Sequence, residues 1–265
     1  MFPYILCIVM FSIIPISTIV YYGFTSSEGF FTFENILNIG IYSGVFLRSF
    51  LFALASTIFC FLIGYPVAFT ISRLKEKIQN ILIMVTILPM WINFLLTTYS
   101  IMTLLETNGV LSKIFGLLKF PEVSFLNTPS AIIFGMVYNS IPYMIIPIHL
   151  SLSKIDPEII QAAKDLGARQ FTIFTKIIFP LSMPGIISGF AMVFGPSMSS
   201  FVVSKMLGGN SNLLIGELIE LRFLGSTYDP HSSSALALAL MAFIMLFTGI
   251  INKAEKNNEN ANISL

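Results

Sequence analysis

Between Lys154 and Pro180 this 265-residue chain carries seven ionisable side chains, Lys154, Asp156, Glu158, Lys164, Asp165, Arg169 and Lys176, inside an otherwise apolar sequence. A charged segment between two lipid-length apolar runs offers a soluble partner something to hold, so the chemistry it suggests is docking. Asp156 can accept from backbone N–H groups two or three residues on. Pro157 stands at the first helical position, where its missing donor costs nothing, and Glu158 complements the positive end of the helix dipole. Ile155, Ile159, Ala162 or Ala163, and Leu166 recur at three- and four-residue spacing and predict one apolar stripe. Gly167 is placed to end the helix in the left-handed conformation. Phe171, Phe174 and Ile178 predict a second short stripe, which Pro180 is expected to stop. The result is helix, turn, helix over residues 154–180, with Ala162 and Ala163 leaving a shallow, flat site for a partner backbone. A helix that merely lies on lipid is the alternative.

Other reactive arrangements are missing from the sequence. No GxxxxGK[ST] string occurs, so the chain has no phosphate-cradling loop of that kind and any ATP hydrolysis falls to a separate subunit. Gly-x-Ser-x-Gly, HExxH and a carboxylate pair within an apolar run are also missing, and His149 and His231 stand alone, which favours structural roles for both. Cys7 and Cys60 fall in apolar runs without metal-ligand or CxxC spacing and read as small core residues.

The elements that must position these residues follow from composition. Hydrophobic residues make up 55% of the chain and charged residues only 10%, against roughly 25% charged in soluble domains. Charge-free windows run over residues 1–27, 49–72, 78–105, 123–153, 177–204 and 230–252, each long enough for the roughly 20 residues that span the hydrocarbon core as a helix. Barrel strands would be about ten residues long with strict alternation, so an all-α membrane protein is expected. Its six transmembrane helices are placed at about 3–24, 49–72, 79–105, 131–152, 184–204 and 233–251 within a single transmembrane domain over 1–265. The first window lacks a basic n-region and a small-residue cleavage site, and is expected to stay as the first helix.

Lys and Arg in the loops set the orientation. With the amino terminus inside, nine basic residues fall inside (Arg73, Lys75, Lys77, Lys154, Lys164, Arg169, Lys176, Lys253, Lys256) and five outside (Arg48, Lys113, Lys119, Lys205, Arg222). Both termini and the 154–180 segment are therefore expected in the cytoplasm. The outside segments carry seven acids, Glu28, Glu34, Glu106, Glu122, Glu217, Glu220 and Asp229, a mild bias toward a cationic solute.

Gln161-Ala162-Ala163, Gly167 four residues on, Ile177, Pro180 and Pro184-Gly185-Ile186-Ile187 resemble the "EAA" loop of the permease subunits of ABC importers. Further along the chain, Leu88-Pro89-Met90-Trp91 with Asn93, Thr128-Pro129-Ser130-Ala131, Pro142-Tyr143-Met144, Lys154-Ile155-Asp156, Gly208-Gly209 and Leu214-Ile215-Gly216-Glu217 are similar to the first permease subunit of bacterial spermidine/putrescine importers. The resemblance implies a type I ABC importer permease architecture with a cytoplasmic helix-turn-helix coupling loop. It also implies a homologous second permease, two cytoplasmic ATPase subunits that bind the ATP and Mg, and an external solute-binding protein; no nucleic acid and no cofactor of this chain's own is implied. Asp156, Glu158, Gln161, Ala162, Ala163, Gly167 and Pro180 would couple to the ATPase. The chain departs from the family pattern in having Gln161 where glutamate is usual, and Thr97 where many relatives carry a basic residue nearby.

For a polyamine, ammonium groups require carboxylates and aromatic faces. The candidates near the outer ends of the spans are Trp91, Tyr99, Glu106, Tyr138, Glu217, Glu220 and Asp229, taken as a set. Prolines 15, 66, 89, 142, 147 and 196 interrupt backbone ladders inside spans and free carbonyls that could line a cavity. Ferric iron, phosphonate or another small solute remains an alternative cargo, and a self-contained secondary transporter or a membrane scaffold an alternative class.

Overall fold

The computed structural model describes residues 6, 9–26, 28–107, 109, 112, 125–209, 212–225 and 228–263; Cys7, Lys113, Lys119 and Glu122 lie outside the described residues. We label the helices α1 (Val9–Gly23), α2 (Glu34–Ser72), α3 (Glu76–Trp91), α4 (Phe94–Leu105), α5 (Pro129–Ser153), α6 (Pro157–Asp165), α7 (Gln170–Ser199), α8 (Ile215–Leu224) and α9 (Pro230–Ile263). Among the described residues the only β pairing is the isolated bridge Thr25–Phe31, in the turn that joins α1 to α2.

Length and composition make α2, α5, α7 and the 230–251 part of α9 able to cross a membrane, and a fifth crossing results if α3 and α4 count as one broken span. The expected helix at 79–105 is not straight. It divides at Ile92 and Asn93, and its halves meet at 90°. Ile92 is extended, Pro89 withholds a donor just before it, and the Asn93 side chain accepts from the Leu95 amide at 2.8 Å to start a new helix. The helix expected at 184–204 ends at Ser199, where Ser200 turns extended. Of the first expected span, α1 covers Val9–Gly23, which is shorter than a full crossing.

The core forms where α5 packs between α2 and α7. Gly64, Gly185 and Gly189 make this possible. A Cβ on Gly185 would lie 2.5 Å from the Pro147 carbonyl oxygen, and one on Gly189 would lie 2.7 Å from the Met144 sulfur, so α7 approaches α5 at backbone distance. Ser56 and Thr57 bond back to the Ala53 carbonyl at 2.9 and 2.7 Å, so these two hydroxyls bring no unsatisfied donor into the bundle. At the other end, α9 closes over α1, α7 and α8. Arg222 fastens that end, donating to Asp229 at 3.3 Å, Ser232 at 2.7 Å and the Tyr42 hydroxyl at 2.6 Å.

Candidate functional site

The 154–180 segment forms its first helix as the sequence dictates. Asp156 has an extended backbone and its carboxylate accepts from the Glu158 amide at 2.9 Å, with Pro157 in the first turn of α6. Such a cap contributes about 1 kcal/mol. The helix ends in a Schellman arrangement: the Gly167 amide donates to the Lys164 carbonyl at 2.8 Å and the Ala168 amide to the Ala163 carbonyl at 3.0 Å. Gly167 has φ +80°, which a residue with a Cβ adopts only with strain.

Two expectations need correction. Of the expected stripe, Ile155 and Ala163 pack against the core together with Ile160 and Ala168, whereas Ile159 and Leu166 do not. The reason is the orientation that the cap and the Schellman turn impose: Ile160 drops into the cluster formed by Ile173, Ile178 and Leu152. Ile159, Ala162 and Leu166 therefore point away from the chain, with Leu166 89% exposed and Ile159 46% exposed. The second correction concerns Pro180. The helix begun at Gln170 runs through Pro180 to Ser199, because a π-turn at Phe174–Ile178 widens the backbone immediately before the ring.

Because α7 is continuous, the segment is tied to the bundle. The Phe174 ring lies 5.6 Å from Phe69 and 5.9 Å from Tyr65, the Tyr65 ring 5.7 Å from Phe179, and the Tyr65 hydroxyl 3.1 Å from Ser182 Oγ. These rings pack α7 onto α2, and Ile160 of α6 belongs to the same core cluster. Gln161, on the exposed face, donates its amide to Asp165 at 3.0 Å.

A second candidate site is a cleft of about 400 Å³ at the α3–α4 break, lined by Pro89, Met90, Ile92 and Phe94, by Met136, Asn139, Ser140 and Tyr143 of α5, and by Pro196, Ser197, Ser200 and Val203. Ser197 and Ser200 place buried hydroxyls there that have no hydrogen-bond partner. None of these polar residues stands among the solute candidates read from the sequence. The readable signal was a pair of polar residues in mid-span, Asn139-Ser140, and the Ser197-to-Ser200 run at a span end.

The seven sequence-predicted solute residues are not brought together. Trp91 is exposed at the lip of the cleft, between Met90 and Ile92, and Tyr99 and Tyr138 are exposed on α4 and α5. Glu106 is exposed at the end of α4. The other three acids hold the fold. Glu217 is buried and accepts from Ser204, Glu220 pairs with Lys205 at 2.9 Å, and Asp229 pairs with Arg222 while accepting from the Ser232 amide at 3.1 Å. Burial pushes the Glu217 carboxyl above the ordinary carboxylate range, against the opposing pull of the Ser204 hydrogen bond and the Lys205 charge. His149 is buried with Nε2 3.4 Å from Ser153, and His231 Nδ1 lies 3.1 Å from the Tyr22 carbonyl. Among the described residues no cluster of His, Cys, Asp and Glu could hold a metal ion.

A family model described as binding-protein-dependent transport system inner membrane component matches residues 36–254. The spermidine/putrescine transport system permease protein PotB of Salmonella typhimurium is 37% identical over 222 residues, covering 82% of this chain and 77% of the relative. PotB of Haemophilus influenzae is 35% identical over 260 residues, covering 94% and 90%. In three dimensions the chain is similar to a bacterial alginate ABC transporter solved in complex with an alginate pentasaccharide-bound periplasmic protein, with a TM-score of 0.73, 16% identity, and coverage of 97% of this chain and 92% of that one. Helices able to cross a membrane, the arrangement they share with that transporter, and a family match over most of the length lead to one conclusion: the chain belongs to the family of binding-protein-dependent transport system inner membrane components.

Proposed function

We propose that this chain is one of two membrane subunits of an ATP-driven importer of polyamines such as spermidine and putrescine. The observation that carries the coupling role is the exposed apolar row Ile159, Ala162 and Leu166 on a helix whose opposite face is locked into the core. Apolar side chains held out in this way, among Glu158, Gln161 and Asp165, mark an interaction surface. An ATPase subunit, which binds the ATP and Mg, seats on it. Asp156, Gly167 and the π-turn before Pro180 hold the surface in shape, and Ala163 anchors it from within.

Identity of 35–37% to permeases named for spermidine and putrescine supports the choice of solute. The chain crosses the membrane six times in this reading, with the apolar run that contains α1 as the first crossing and the α3–α4 pair as the third. In this reading the 154–180 segment and both termini lie in the cytoplasm, which the excess of basic residues on that side supports. Trp91, Tyr99, Tyr138 and Glu106, exposed on this subunit, face a path shared with the second permease, and an external binding protein delivers the solute. When ATP draws the ATPase pair together, α6 moves with it and the Phe174–Tyr65–Phe179 stack carries the motion into α2 and α7.

The test is reconstitution with the cognate second permease, ATPase and binding protein. Spermidine uptake that requires ATP and every subunit, with spermidine-stimulated hydrolysis, is the expected result. Uptake by this chain alone, or hydrolysis stimulated by another solute and not by polyamines, overturns the proposal.

A further inference from the structure

Beside the docking face, where α2 ends, lies a hollow of about 600 Å³ with a different character. Its floor is apolar, made by Phe69, Ile160, Ile173, Phe174 and Ile178, and its rim carries Arg73, Lys164 and Gln170. The Arg73 guanidinium lies 5.0 Å above the Phe69 ring. No carboxylate lines the hollow. The ion pairs found among the described residues, Lys205–Glu220 and Arg222–Asp229, involve neither rim cation. The acids nearest in sequence to the rim cations, Asp165 beside Lys164 and Glu76 three residues after Arg73, do not line the hollow.

Position restricts the occupant. Arg73 directly follows the last residue of α2, a helix able to cross a membrane, so the rim sits at the boundary between lipid and water. Two cations with no lining acid repel the polyamine of the proposed function. An acidic peptide would satisfy the rim and leave the aromatic and aliphatic floor uncovered. An amphiphile with an anionic head and an apolar tail meets both.

We propose that this hollow binds an anionic phospholipid, with the headgroup phosphate between Arg73 and Lys164 and an acyl chain along Phe69, Phe174 and Ile178, so that the lipid clasps α6 to the end of α2. Basic pockets at a membrane face recognise such headgroups, and each cation near the surface changes occupancy by about fivefold. The inference does not rest on the identity of the transported solute.

Native mass spectrometry of the assembled complex, titrated with phosphatidylglycerol or phosphatidylcholine in mixed micelles, tests the site. One retained phosphatidylglycerol per copy of this chain, lowered about fivefold by Arg73→Gln and further by adding Lys164→Gln, is expected. Lys176→Gln, an exposed cation that does not line the hollow, should leave retention unchanged, and millimolar inorganic phosphate should not displace the lipid. Equal retention of phosphatidylcholine, displacement by phosphate alone, retention unaffected by the double substitution, or no retained lipid because a partner subunit fills the hollow would each overturn the proposal. Thermal unfolding of both variants at the wild-type temperature in lipid-free detergent separates lost binding from lost folding.

Discussion

Gln161 donates its side-chain amide to the Asp165 carboxylate across one turn of α6, at 3.0 Å. The bond sits on the exposed face of the helix, beside Ala162 and next to Leu166, so it orders the surface on which a partner would rest. Glutamate, usual at this position among ABC permeases, would set two like charges four residues apart. Gln161→Glu should weaken α6 by about 0.2–0.5 kcal/mol at low ionic strength. Adding Asp165→Asn should restore it. Amide exchange over residues 157–165 in the assembled complex measures the effect, and faster exchange in the double variant than in Gln161→Glu would refute this role for the bond.

Gly167 occupies a left-handed turn with open space around it, so a side chain there is opposed by the backbone and not by a neighbour. Gly167→Val should leave membrane insertion intact yet abolish solute-stimulated ATP hydrolysis, because the Schellman turn that orients Leu166 is lost. Gly167→Asn, which tolerates the conformation, should retain much of the activity. Equal activity of Val and Asn variants in the assembled complex would show that the turn does not matter.

Gly185 presents the opposite case, a close approach without unusual dihedrals. A Cβ there meets the Pro147 carbonyl oxygen at 2.5 Å and the Ser151 Cβ at 2.6 Å. Gly185→Val should force α7 off α5 and cost on the order of 1–3 kcal/mol. Gly40→Ala, where nothing lies within 4 Å of the added carbon, should be close to neutral. Thermal unfolding of the two variants side by side distinguishes packing from a general intolerance of substitution.

Glu217 gives a pH dependence whose sign follows from burial. Its carboxyl is raised in the folded chain relative to the unfolded chain, so ionisation disfavours the fold. Stability contributed by this group is full below the ordinary carboxylate value and falls as pH rises through the raised value. Glu217→Gln should flatten the stability profile above pH ~4.5 and leave the chain at least as stable at neutral pH. A profile identical to that of the unsubstituted chain would rule out Glu217 as its source.

The capped start of α6, the glycine that ends it and most of the long helices were legible because each depends on local chemistry: Asp156 before Pro157, Gly167 after Leu166, apolar runs of lipid length. The rotation of α6 was not legible. Ile159 and Ile160 are adjacent and equally apolar, and only the Ile173–Ile178 cluster decides which of them is buried. The break at Ile92 and Asn93 was hidden for a related reason, since both halves are apolar and hydropathy averages across the bend; Asn93 as a helix cap was the available signal. The acids Glu217, Glu220 and Asp229 were expected to meet solute, yet Glu217 and Glu220 have partners, Ser204 and Lys205, farther along the chain than spacing rules reach, and Asp229 ahead of Pro230 caps its helix through the Ser232 amide, a local signal like that of Asp156. Ser197 was missed because a serine in a span usually bonds to its own helix, whereas here its hydroxyl faces the cleft unpartnered.

Site-directed cross-linking from Leu166 tests the central claim most directly, because its side chain, at the C-terminal cap of α6, is exposed and stands in the apolar row assigned to the ATPase. With Leu166→Cys in the assembled complex, a short bifunctional thiol reagent should join this chain to the ATPase subunit, and the adduct should be lost when the ATPase is omitted. Labelling of that cysteine only from the outer side of the membrane, or cross-linking to lipid alone in the complete complex, would contradict the account.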